Sequence, residues 1–179
     1  MEFFETVQKR HCYRGGFAGT PISRDHLRRI VQAGLDAPSG KNAQTTRFVI
    51  VDEPARVRTI AAMHESNKAM QQAQAFIACI VDEQAEMVYE GMSFQVEDCA
   101  AAVENMLLAA TALGYAGVWI DGWLRAACRA EAIGNLLNLP DGKRIRVLLP
   151  LGVPTETYKS PAKMPFAERA WFNTYGANE

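Results

Sequence analysis

No stretch of this sequence approaches the roughly 20 consecutive apolar residues that cross a bilayer, so no segment reads as membrane-spanning and no membrane partner is expected. The N-terminal run MEFFETVQKR is too short and too charged for a secretory leader, which makes a cytoplasmic protein the expectation. A charge surplus is missing as well. Nineteen Lys and Arg against 20 Asp and Glu leave a net charge of -1, which excludes the broad basic surface that tracks nucleic acid. Cys12, Cys79, Cys99 and Cys128 show no C-x-x-C spacing, and His11, His26 and His64 do not join them at metal-ligand distances along the chain. Reduced thiols and no structural metal are therefore expected. No strand candidate runs into G-x-G-x-x-G, so a Rossmann-type dinucleotide site is not anticipated. Linkers, repeats and low-complexity segments are absent too. With 49% hydrophobic residues in 179, the chain 1–179 reads as one domain with a real core.

What is present alternates between helix and strand patterns. The run PISRDHLRRIVQAGLDAP offers Ser23 as an N-cap, places Leu27, Ile30, Val31, Gly34 and Leu35 on one face, and stops before Pro38. Strands are expected at Arg47–Asp52, Ala75–Asp82, Val118–Ile120 and Ile145–Gly152, and a helix at Pro54–Met63 with Pro54 in its first turn. The longest helix candidate, Asp98–Gly114, is apolar nearly all round, with Glu104 and Asn105 its polar breaks. Such a helix must be covered on every side, as a central helix or against a second subunit. The stretch after Pro150 is proline-rich and aperiodic. It carries Phe166, Trp171, Phe172 and Tyr175, which are costly to leave in water, so an arm laid over another surface is expected.

Two short stretches stand out chemically. KRHCYR places Lys9, Arg10, His11 and Arg14 around one thiol, Cys12, at the end of a short first helix whose Phe3, Phe4 and Val7 are expected to point inward. Cations there complement a helix dipole, and equally they are what grips a phosphate, Arg by paired donors and Lys as a point charge. APSGKNAQ, residues 37–44, combines small residues that admit close backbone approach with the Asn42 and Gln44 amides on one side of an extended segment. A turn that merely ends a helix would look similar.

The order of these motifs decides between the readings. R-H-x-x-R, then A-P-S-G-x-N-x-Q running into R-F-V-I-V, then AAAVENMLLAATALG, WIDGW, LGVP and a proline-rich tail resembles the nitroreductase family of flavoproteins, over about residues 3–176. The resemblance implies a three-layer α+β fold with a central mixed or antiparallel sheet flanked by helices. It also implies an intimate homodimer with a C-terminal arm, residues 152–179, swapped onto the partner, and FMN at the subunit interface. It assigns Arg10, His11, Cys12 and Arg14 to the FMN phosphate and one polar edge of the flavin. Pro38, Ser39 and Gly40 fall where the partner covers the flavin, and Asn42 with Gln44 where amides meet the ring and ribityl chain. Asp121 and Gly122 match a turn whose backbone N–H faces flavin N5, and Lys163 stands where the family usually has an Arg for the phosphate.

Three departures accompany the resemblance. Cys12 replaces a Ser, exchanging a good hydroxyl donor for a weak thiol. Lys163 keeps a charge but loses the guanidinium fork. Thr45 and Thr46 stand in AQTTRF where Pro-Trp is common, which implies a roomier or more polar pocket. Between Cys79 and Asp98 there is little length for lid helices, implying an open site and loose substrate selection. No Ser/His/Asp or Cys/His constellation is present, so no side-chain catalyst is assigned. The expected function is an FMN-dependent oxidoreductase passing hydride from NAD(P)H through flavin N5 to nitroaromatics, quinones or a similar flat acceptor. A flavin-fragmenting or dehalogenating enzyme of the same fold, or a non-catalytic flavin-binding protein, are the alternatives. Lys41 could add positive charge beside the flavin, or simply be solvated.

Overall fold

The computed structural model describes residues 2–157 and 161–176. Its centre is a four-stranded antiparallel sheet in the order β1-β2-β4-β3, formed by β1 (Arg47–Val51), β2 (Ala75–Asp82), β3 (Ala116–Gly117) and β4 (Lys143–Gly152). The alternation of side chains along β2 builds two cores. Phe76, Ala78 and Ile80 face one and Ala75, Ile77, Cys79 and Val81 the other. The first core is closed by α3 (Pro54–Ala61), α4 (Lys68–Gln71) and α6 (Arg129–Leu136), through Ile60, Met70 and Ile133. The second is closed by α2 (Arg24–Leu35) and α5 (Gln95–Ala112), through Leu27, Ile30, Val103 and Met106. Helices on both sides of a sheet make the three layers of the α+β expectation.

Local chemistry sets the element ends. The Ser23 hydroxyl accepts the His26 N–H at 3.2 Å and caps α2. Pro54 opens α3, whose missing N–H would have had no partner there anyway. All four cysteines are free thiols, and burial in the sheet core pushes the Cys79 thiol up, away from the thiolate. No helix is long and apolar enough to cross a membrane, among the described residues.

Several expectations need correction. In α1 (Phe3–Lys9) the buried side chain is Thr6, whereas Phe3 is 63% exposed, Phe4 68% and Val7 43%, so the aromatic face points out of this chain. Leu35, on the last turn of α2, is exposed as well. The third strand sits at Ala116–Gly117 rather than Val118–Ile120. Only Ile120 from that run touches the sheet, as an isolated bridge to Leu148. Three consecutive apolar residues look like a strand, but in the register set by Gly117–Leu151 and Ile120–Leu148 the residue opposite Val118 is Pro150, which has no N–H for the ladder. The apolar helix begins three residues earlier than Asp98 and ends at Ala112, and α3 stops at Ala61. α5 packs against α2, α1 and the sheet. Apart from Val96, Glu97 and Ala112 all its residues are at least half-buried, which explains a sequence without a polar face.

Strand β4 carries one irregularity. Ile145 faces the first core and Val147 the second, although residues two apart on a regular strand share a face. The pairing register with β2 shifts between Cys79 and Ile80, leaving Arg146 without an opposite partner. Arg146 is therefore the extra residue of a β-bulge.

Candidate functional site

The structure arranges the candidate residues in three groups, each fixed by different elements. In the first, Ser39–Gln44 leaves α2 through a tight 3-10 turn at Gly40–Asn42. Lys41, Asn42 and Gln44 all adopt left-handed backbone, with φ of 52, 56 and 50°. Asn tolerates that region, but Lys41 and Gln44 there cost about 1–2 kcal/mol each, a strain that surrounding bonds must offset. Asp98, 7% exposed on the first turns of α5, supplies those bonds. One carboxylate oxygen accepts the Gly40 N–H at 2.9 Å and the other the Thr45 hydroxyl at 2.8 Å. The Ser39 hydroxyl accepts the Gln44 N–H at 3.0 Å, and the Arg47 guanidinium donates to the Gln44 and Thr46 carbonyls. Gly40 is required by space: a Cβ on it would lie 2.5 Å from the Phe94 ring. Lys41 reaches over the Tyr89 ring, 4.6 Å from its centroid.

A cleft of about 450 Å³ opens beside this loop, with Pro38, Ser39, Gln44, Thr45 and Thr46 in its wall and Asp98 at its back. That volume falls in the range of small-molecule sites, roughly 300–1,000 Å³. The Thr46 hydroxyl is buried there with no hydrogen-bond partner, a state that costs about 1–3 kcal/mol unless a ligand completes it. Asp98 was not singled out from the sequence, whereas Thr46 was marked there, with Thr45, as a departure that makes the pocket more polar. A carboxylate at the start of an otherwise apolar helix was the available signal for Asp98. Asn42 and Gly40 belong to the loop but not to the cleft wall.

The second group is the basic cluster. Residues 10–14 run beside β3, with a parallel bridge of Cys12 to Gly117 and the Tyr13 N–H donating to the Gly117 carbonyl at 2.9 Å. The Arg10 Nε lies 2.9 Å from the Glu104 carboxylate of α5, an ion pair that holds the guanidinium in place. Arg14 is exposed and makes a 3.4 Å contact with the Cys12 carbonyl. The His11 Nδ1–H donates to the Lys9 carbonyl at 2.8 Å, and Lys9 pairs in solvent with Glu5.

The third group follows Ile120. The Asp121 carbonyl accepts the Leu124 N–H at 2.9 Å, closing a turn through Gly122, where an added side chain would meet nothing. The Asp121 carboxylate is gripped by both nitrogens of the Arg125 fork, at 2.6 and 2.7 Å, and by Arg146 from the bulge. Burial raises its pKa, but the hydrogen bond from Arg125 and the charge of Arg146 outweigh burial and hold the carboxyl below the ordinary aspartate range. Lys163 is exposed on the C-terminal segment, as are Phe166, Phe172 and Tyr175, with Trp171 half-buried. The hydrogen bonds described above do not join the three groups within one chain. Among the described residues, no group of three or more His, Cys, Asp or Glu side chains could hold a metal ion.

Comparison with known proteins gives this geometry a context. A family model described as the nitroreductase family matches residues 7–95 and 89–153. An NADPH-flavin oxidoreductase of Vibrio harveyi is 25% identical over 170 residues, covering 90% of this chain and 69% of that protein. The crystal structure of a nitroreductase family protein from Clostridium novyi NT has a TM-score of 0.75 at 30% identity, covering 89% of this chain and 90% of the other. A Desulfovibrio desulfuricans protein crystallised in complex with FMN has a TM-score of 0.77 at 27% identity, with 94% of each chain covered.

Proposed function

Because the chain belongs to the nitroreductase family, and is thus an oxidoreductase, we propose that it binds FMN between two copies of itself and passes electrons from NAD(P)H to flat acceptors such as nitroaromatics or quinones. The observation that carries this reading is the strained, Asp98-clasped loop beside a cleft holding an unpartnered Thr46 hydroxyl. Strain of this kind is kept where a ligand needs it. The residues present fit the cofactor in chemistry: a flat ring needs apolar walls and a few amide or hydroxyl partners, and its phosphate needs guanidinium donors. Arg10, oriented by its ion pair with Glu104, and the exposed Arg14 are the phosphate donors, with Lys163 supporting them and Cys12 and His11 shaping the loop. Pro38, Ser39 and Gly40 cover the ring from the partner copy, and Asn42 and Gln44 present their amides to it.

FMN, when bound, would supply the redox chemistry that links NAD(P)H oxidation to two-electron reduction of the acceptor. The protein's part is orientation. Asp121 stays ionised between two arginines, so its carboxylate is committed and the turn offers backbone N–H groups rather than a side-chain acid. Residues 83–94 form no helix above the loop, which leaves the acceptor side open and favours broad selection over a dedicated flavin-cleaving or dehalogenating site.

Purified protein should be yellow and release FMN rather than FAD on denaturation, and should oxidise NADH or NADPH with menadione or nitrofurazone. Arg10→Ala or Arg14→Ala should weaken FMN retention by about 1.5–3 kcal/mol, whereas Lys9→Ala, whose ammonium pairs with Glu5 in solvent, should cost well under 1 kcal/mol. Colourless protein that takes up no added FMN overturns the reading.

A further inference from the structure

A second cleft, of about 430 Å³, lies beyond the Asp121 turn and is lined by Val96, Leu124, Arg125, Glu131, Arg144 and Arg146 among others. Its charge is unbalanced. Three guanidiniums face two carboxylates, Glu131 in the wall and Asp121 behind it, and Asp121 is shared between Arg125 and Arg146. The arginines are not equivalent. Arg146 has only 16% of its side chain exposed and reaches the cleft because the β4 bulge turns it there. A regular strand would send residue 146 into one of the two cores. Its single side-chain hydrogen bond, among the described residues, goes to Asp121, and its remaining donors have no protein partner. Arg144 is exposed and makes no ion pair or side-chain hydrogen bond among the described residues. A guanidinium four-fifths removed from water, beside a free one across a concave site, is an arrangement that an oxyanion completes and a neutral ligand leaves unsatisfied.

We propose that the cleft of Arg125, Arg144 and Arg146 binds an oxyanion, phosphate or carboxylate, carried by a molecule that reacts at the flavin. The proposal rests on the reading of Asp121–Gly122 as the turn at the reacting edge of the cofactor. It narrows the substrate class: either the phosphorylated nicotinamide donor or an acidic acceptor is preferred over its uncharged or less charged counterpart.

Two matched pairs separate these sources in the flavin-loaded full-length protein. NADPH and NADH are compared with menadione as acceptor, and a nitrobenzoate is compared with the corresponding nitrobenzamide with NADH as donor. In one pair the more anionic member should show about tenfold higher kcat/KM, through KM. Arg144→Gln should remove most of that advantage and leave the less charged member within about twofold of its starting value. Arg144 is the residue to change because neither the fold nor the flavin site leans on it. The same preference in wild type and Arg144→Gln, or none in either pair, overturns the proposal. Calorimetric titration with inorganic phosphate and with benzoate reads the cleft without turnover. Where flavin loading fails, a failure that would count against the functional reading alone, binding by the wild type that is lost in Arg144→Gln supports the site, and absence of binding by both probes overturns it.

Discussion

Asp98 shows what a single side chain can carry. It holds the Gly40 N–H and the Thr45 hydroxyl at once, and through them a loop with three left-handed residues. Asp98→Ala should destabilise the protein by about 2–3 kcal/mol, since both donors lose a charged acceptor in a buried place. The change should appear as a lower urea midpoint with an unchanged slope. Asp98→Asn, which keeps an acceptor, should lose less. Asp121 gives a pH signature. Its folded pKa is depressed, so its stabilising contribution is fully present above the ordinary aspartate pKa, about 3.9, and is lost as pH falls through the folded value. Asp121→Asn should therefore be less stable than wild type at pH 7, with the gap closing below about pH 4, as followed by thermal melts across pH. The basic cluster, the 38–44 loop and the Asp121 turn were all legible in the sequence, because residue type and order carry them. Asp98 shows in the sequence only as a carboxylate opening an apolar helix, with its partner 58 positions away, and Arg146 not at all, since a register shift leaves no local mark.

Among the elements, α2, β1, α3, β2 and β4 were readable to within a residue or two. Their apolar spacing, the Ser23 cap and Pro54 are local signals, and the structure keeps them. α1 was read with the right extent and the wrong face. Seven residues anchored by Thr6 and the Glu2 cap, with Phe3, Phe4 and Val7 turned outward, follow a pattern that sequence alone assigns to a core. The outward aromatic face is consistent with the proposed dimer, in which a neighbouring copy covers it. Phe3→Ser combined with Phe4→Ser should leave the fold of each chain intact by circular dichroism. It should weaken association by about 1.5–3 kcal/mol for each phenylalanine removed from an apolar contact, seen as a larger monomer fraction on dilution in light scattering. Unaltered association would place the dimer contact elsewhere.

At the scale of the whole molecule, the α+β layers follow from two cores on opposite faces of one sheet, and the family match agrees with them. Among the described residues, the C-terminal segment adds no buried aromatic to either core, and Tyr175 is 91% exposed. Truncation after Pro154 should therefore spare the sheet while removing Lys163 and the arm together. If the arm wraps a partner as proposed, dimer mass and flavin absorbance should disappear in the same chromatographic step, and a truncated monomer that still holds FMN would show a site built by one chain. The sheet itself has a consequence in time. β2 hydrogen-bonds to β4 along its whole length, and β4 ends at Gly152, so the centre of the fold joins the early and late portions of the polypeptide. On the ribosome, β1 and β2 emerge long before the strand that completes them, exposing an unpaired edge rich in isoleucine and valine. Such long-range closure is slow. Until synthesis passes residue 152, the nascent chain should be a client of chaperones rather than a folding intermediate in its own right.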